Sequence, residues 1–256
     1  MLRKPLGCQA LCGFVALFVL GRAPCVLGGD RLPGDPAAAA MLRVGQAHAL
    51  NKAGEFVAAC RAFDEAARLL PEWWIARYER ARCGRLLGER PELVLAHARA
   101  VSEYAPDRGV GWELLGLILE DAGEVDAALV AYEQALKRDA GLFDVHARLG
   151  RHALKGKRYA AARRHFEELR LLRNDSVLAL AGIAEAAWGA EDWAAAEEAL
   201  LALANRSNYP AEEYARLIRL YQKVSHPAGA TAARRAWRRA LEGGGVTPPL
   251  EPQLRP

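Results

Sequence analysis

Residues 111–136 read GWELLGLILEDAGEVDAALVAYEQAL. The stretch holds no cysteine, histidine or serine, no glycine-rich phosphate loop and no metal-ligand spacing, yet it is the most strongly patterned part of the chain. Trp112, Leu115 and Leu119 recur at helical spacing and share one face. Gly116 takes a side chain off that face, so a second helix can approach closely. The turn Asp121-Ala122-Gly123-Glu124 follows, with Gly123 free to adopt the left-handed conformation. Ala128, Tyr132 and Ala135 then repeat at helical spacing. The pattern predicts a helical hairpin whose two helices face each other across Gly116.

The pattern recurs. A shift of 34 residues carries Leu115-Gly116 onto Leu149-Gly150, Ala128 onto Ala162 and Tyr132 onto Phe166, with Tyr159 as an aromatic after the turn. A further shift reaches Ile183-Ala184, Trp193, Ala196 and Leu200. Backwards, residues 53–72 carry Gly54, Phe56, Ala59, Phe63, Ala66 and Pro71, while the helix before them, Met41 to Leu50, is poorly patterned. A second unit has Gly88 and Pro106, with Pro91 and a one-residue slip distorting its second helix. A sixth, residues 211–242, has Tyr214, Leu217, Tyr221, Ala233, Trp237 and Ala240 at irregular spacing. In its order of Trp, Leu-Gly, Ala, aromatic and Ala the unit resembles the tetratricopeptide repeat family, apart from Ala140 where that family usually has Pro. The resemblance covers residues 40–242. It implies an all-α, right-handed α-solenoid of five to six stacked helix-turn-helix hairpins, in which neighbours bury a core that no hairpin can bury alone.

Composition agrees. Hydrophobic residues make up 52% of the 256. Ala and Leu, both good helix formers, dominate them. The 35 basic and 31 acidic residues give a net charge of +4. Arg3, Lys4 and Arg22 lie in the N-terminal segment; without them the balance is 32 to 31, so nucleic acid is not an expected partner of the domain. Residues 1–30 have a basic start, an apolar run from Leu6 to Leu20 and small residues after it, the layout of a secretory signal peptide. Residues 1–28 are read as that leader, cleaved after Gly28 or retained as a signal anchor, and the protein as exported to a periplasmic, extracytoplasmic or secretory compartment. Lipidation at Cys25 is disfavoured by Arg22, and membrane contact is expected only with a retained or lipidated leader. Residues 29–39 read as a linker and 243–256, GGGVTPPLEPQLRP, as a disordered tail.

Three of the five cysteines fall in the leader. Cys60 and Cys83 remain, either as a disulfide or as two small buried hydrophobes. Residues 174–176 and 205–207 match the glycosylation acceptor pattern, which matters only in a eukaryotic secretory pathway.

Catalytic layouts are missing: no G-x-S-x-G, phosphate loop or H-E-x-x-H occurs. No cofactor is implied, and the chain is read as a non-enzyme. The histidines His48, His97, His146, His152, His165 and His226 read as packing or surface residues. Adjacent carboxylates such as Glu120-Asp121, Glu167-Glu168 and Glu197-Glu198 fan apart on a helix and read as a solvated face. The basic cluster ARRAWRRALE, residues 233–242, reads as a capping helix with Trp237 packed inward and Arg234, Arg235, Arg238 and Arg239 in solvent, the alternative being contact with anionic lipid or nucleic acid.

What remains is binding. The resemblance implies that the first helices of successive hairpins line a groove for a peptide or a partner's helix. Carried over unit by unit, the groove positions are Tyr78, Arg82 and Arg85; Glu113, Leu117 and Glu120; Arg151 and Lys155; Glu185 and Trp188. Val44 and His48 stand where the carboxylate-clamp subtype wants Lys and Asn, which argues against that subtype. The expected function is a protein interaction scaffold in an envelope or secretory-pathway complex, the alternatives being a regulatory or targeting subunit of an enzyme complex and a membrane-anchored adaptor.

Overall fold

The computed structural model describes residues 35–174, 176–206 and 211–242. Twelve helices pair into six consecutive hairpins: α1 (Pro36–Lys52) with α2 (Phe56–Leu69), α3 (Trp74–Leu86) with α4 (Pro91–Tyr104), α5 (Gly109–Asp121) with α6 (Val125–Arg138), α7 (Phe143–Lys155) with α8 (Tyr159–Leu172), α9 (Val177–Gly189) with α10 (Trp193–Ala204), and α11 (Ala211–Lys223) with α12 (Pro227–Leu241). Among the described residues there is no strand. The second helix of each hairpin packs on the first helix of the next, so the six units form one array. This is the all-α hairpin solenoid expected from the repeat. The leader, the C-terminal tail, Asp175 and Ser207 lie outside the described residues.

The register is more regular than the sequence suggests. Gly109, Phe143, Val177 and Ala211 open successive first helices 34 residues apart, so the sixth hairpin holds the spacing. The slip is confined to the second unit, where Trp74 opens α3 35 residues before Gly109. Pro91 does not distort α4. It is that helix's first residue, where a missing N–H costs nothing and the fixed φ is already helical. The array also begins inside the segment read as a linker: Pro36 opens α1 and the Asp35 carboxylate accepts from the Ala37 N–H at 2.9 Å. An Asp-Pro pair followed by four alanines is a capped helix start.

Turns within hairpins share one geometry. Gly123 sits at φ 81°, and the Glu124 N–H donates to the Leu119 carbonyl at 2.9 Å, closing α5 with a Schellman-type cap. Lys157, Glu191 and Ser225 hold the same left-handed position in the last three hairpins at φ 56°, 59° and 57°.

Packing follows the small-against-aromatic pattern. A Cβ on Gly116 would lie 2.5 Å from the Tyr132 ring, so only glycine lets α6 sit this close to α5. Phe166 lies between two glycines, its own hairpin's Gly150 and the next hairpin's Gly182. The core runs along the array, from Phe63, through Ile118 and Tyr132, to Phe166, Leu200, Leu217 and Tyr221. Cys60 on α2 and Cys83 on α3 form a disulfide with Cα atoms 5.6 Å apart, which settles the open pairing and ties the first hairpin covalently to the second.

Two burial expectations are overturned. Glu197 is fully buried, because its side of α10 carries Ala196 and Leu200 into the core and the Tyr221 hydroxyl donates to its carboxylate. Trp237 is 36% exposed; the side of α12 that packs inward is Gly229, Ala230, Ala233 and Ala236.

Candidate partner-binding groove

The groove positions lie on the first helices α3, α5, α7 and α9, and the structure divides them into residues that brace the array and residues that face outward. Arg85 and Glu120 are braces. Arg85 Nε donates to Asp121 Oδ2 at 2.6 Å, linking α3 to α5. Glu120 accepts from the Tyr132 hydroxyl at 2.7 Å, from Arg148 Nη1 at 2.7 Å and from His152 Nε2 at 3.0 Å, which joins α5, α6 and α7. Burial opposes its charge, but the hydrogen bonds from Tyr132 and His152 and the Arg148 guanidinium outweigh it and hold the carboxyl below its usual range.

Tyr78 and Glu113 form the middle of the face. Tyr78 is half-buried on α3, edge-on to Trp74 with ring centres 6.4 Å apart. Burial and the nearby Glu113 and Glu79 raise its hydroxyl pKa. Burial also pushes the Glu113 carboxyl up, and Asp144 on α7 adds to this. Leu117 is half-buried beside the central core. Arg82 is exposed and paired with Glu79 at 2.6 Å, an interaction that solvent weakens. Arg151 and Lys155 are exposed on α7; Arg151 makes one 3.3 Å bond to the Ala147 carbonyl.

At the C-terminal end the face opens into a cleft of ≈ 530 Å³ between α9 and α11. Glu185 and Trp188 line one side and Glu212, Arg216 and Arg219 the other, over a floor of Ala184 and Leu200. Trp188 stands edge-on to Trp193 at 5.7 Å, which fixes its indole. The structure thus brings two of the sequence-derived positions together with three residues that the sequence reading missed. The repeat itself points to one of them, since Arg219 lies 34 residues after Glu185.

Two further histidines, His146 and His165, pack inside the fourth hairpin. His146 is buried, with Nε2 3.2 Å from the Ala140 carbonyl and Nδ1 3.3 Å from His165 Nδ1. Burial lowers the His165 pKa to about 4, helped by His146, Arg164 and Arg158. A folded pKa below the free value near 6.5 means that protons bind the unfolded chain more readily. The His165 contribution to stability should therefore be lost as pH drops from about 6.5 to about 4 and stay constant below that. The loss should be on the order of 1 kcal/mol after allowance for partial exposure. Urea melts between pH 7 and pH 4 check this, with His165→Asn expected to flatten that part of the profile. Among the described residues no group of three or more His, Cys, Asp or Glu could hold a metal ion.

No family's sequence profile matches the chain, and neither does any curated protein. Solved structures do. The C-terminal part of a TPR repeat-containing protein from Cytophaga hutchinsonii aligns at TM-score 0.66 and 15% identity, over 79% of this chain and 80% of its own. PilW, described as a widely conserved type IV pilus biogenesis factor, aligns at TM-score 0.56 and 14% identity, over 80% and 94%. YrrB, a TPR protein described as having an unusual peptide-binding site, aligns at TM-score 0.55 and 15% identity, over 66% and 86%. The fold is that of the tetratricopeptide repeat solenoids.

Proposed function

We propose that this tetratricopeptide-type solenoid is a scaffold that holds a peptide or partner helix along its first helices and supports assembly of an envelope or secretory-pathway complex. The observation that carries the reading is the cleft between α9 and α11, where Trp188 and two guanidiniums, Arg216 and Arg219, stand over an apolar floor. Trp and Arg around an apolar pocket are the residues that dominate interface energetics. The array supplies them on rigid helices, so the receptor loses little conformational freedom on binding. Tyr78, Arg82, Arg151 and Lys155 extend the face, while Arg85 and Glu120 tie its neighbouring helices together.

Three observations support an exported setting. The leader has the layout of a secretory signal, the Cys60–Cys83 disulfide suits an oxidising compartment, and one structural neighbour is a pilus biogenesis factor. No helix among the described residues is long and apolar enough to cross a membrane.

Affinity capture from the native host tests the groove. Replacing Tyr78, Arg82, Arg151 and Trp188 together with Ala is expected to abolish partner capture and to leave the helical circular dichroism intact. Trp188→Ala alone should weaken binding by about 30-fold, the effect of about 2 kcal/mol at an interface anchor. Capture that survives the fourfold replacement would place the partner elsewhere.

A further inference from the structure

We propose that the outer face of α12 is a contact surface for anionic phospholipid headgroups. Helix α12 is the last of the described array. One side, Gly229, Ala230, Ala233 and Ala236, packs inward, and among the described residues no further hairpin covers the other. Pro227–Leu241 contains no acidic residue, and Arg234, Arg235, Arg238 and Arg239 are all exposed. Elsewhere in the array Arg43, Arg80, Arg85, Arg148 and Arg163 each meet a carboxylate. Among the described residues the four on α12 meet none; Arg239 has one 3.4 Å bond to the Arg235 carbonyl. The helix is therefore a concentration of unpaired positive charge on an otherwise nearly balanced chain.

The apolar residues on that side make lipid the favoured occupant. Trp237 is 36% and Leu241 59% exposed, and the two are one turn apart, on the same side as Arg234 and Arg238. Trp112 lies under Arg138, Trp193 under Lys223, and Trp188 against Trp193. Trp237 has no such partner among the described residues. Indole seated at headgroup level, an aliphatic side chain reaching the acyl boundary and arginines on lipid phosphates form an amphipathic surface helix. A basic helix is also an electrostatic footprint for nucleic acid, but the exposed Trp237 and Leu241 beside the arginines favour lipid over it.

Vesicle flotation with the full chain tests the proposal, using phosphatidylcholine vesicles alone and with 30 mol% phosphatidylglycerol, roughly the charge density at which each surface arginine contributes about fivefold in affinity. Replacing Arg234, Arg235, Arg238 and Arg239 with Gln should reduce binding to the anionic vesicles by more than about a hundredfold. Binding to neutral vesicles, which reports the leader, should not change. Brominated lipid should quench wild-type emission more than that of Trp237→Phe. All these positions are exposed, so the thermal melt should not move. Equal anionic-vesicle binding by wild type and the arginine variant would overturn the proposal, as would α12-dependent binding of oligothymidine without vesicle binding. The groove residues are untouched in these variants, so this proposal and the scaffold reading fail independently.

Discussion

Replacing Phe166 with Ala is expected to lower stability by about 3–5 kcal/mol. The ring is 1% exposed and lies between α7, α8 and α9. A Cβ on Gly150 or on Gly182 would come closer to it than 3.0 Å, so the ring occupies the space that both glycines leave. Truncation opens a cavity, and at the Gly150 and Gly182 positions of its wall there is no side chain to fill it, which places the cost towards the upper part of the range. Phe166 also joins the fourth hairpin to the fifth. In a repeat array stability is a sum of unit and nearest-neighbour terms, so the variant should melt in two steps, with the α9–α12 end uncoupled from the rest. Urea denaturation followed by circular dichroism reads both effects, and Phe166→Leu should recover most of the loss. A single transition shifted by less than about 1 kcal/mol would mean that the array joins there by other contacts.

The second large effect is expected from the Cys60–Cys83 disulfide. It closes a loop of 23 residues, for which the chain-entropy model gives about 3 kcal/mol. Both cysteines are buried, at 3% and 6% exposure, and sit against alanines, so Ala at both positions still packs. The loss should come mainly from the freed unfolded chain. The double replacement Cys60→Ala with Cys83→Ala should lower the first transition, and reductant should lower the wild type towards it. The variant should not respond to reductant; a response there would contradict the assignment.

Much of the fold was legible because the repeat states its own contacts. Gly116 and Tyr132 return in the next hairpin as Gly150 and Phe166, a small residue facing an aromatic, and their spacing fixes both helices and the turn. Helix α1 was harder because its start is written in capping chemistry, Asp35-Pro36, rather than in apolar periodicity. The sixth hairpin looked irregular because its small residues are shifted along α12, although its helix starts keep the 34-residue register. Disulfide pairing depends on how two helices face each other, which spacing alone does not specify. Glu197 shows another limit: adjacent carboxylates do fan apart on a helix, but which of them enters the core depends on a tyrosine in the next hairpin. The groove was legible as positions and not as roles. Arg85 and Glu120 occupy groove positions yet hold neighbouring hairpins together, and the cleft at Trp188 needed Arg216 and Arg219 from a unit whose boundaries the spacing had blurred.

The Cys60–Cys83 bond also fixes how the array carries load. A pull on the N-terminal end travels along α1 and α2 to Cys60, then crosses the sulfur bridge directly to Cys83. The residues between the two cysteines are shunted out of the force path and contribute no extension while the bridge is intact. Tension applied at the N-terminal end is therefore delivered into the third helix, and extension is confined to the residues before Cys60 and after Cys83.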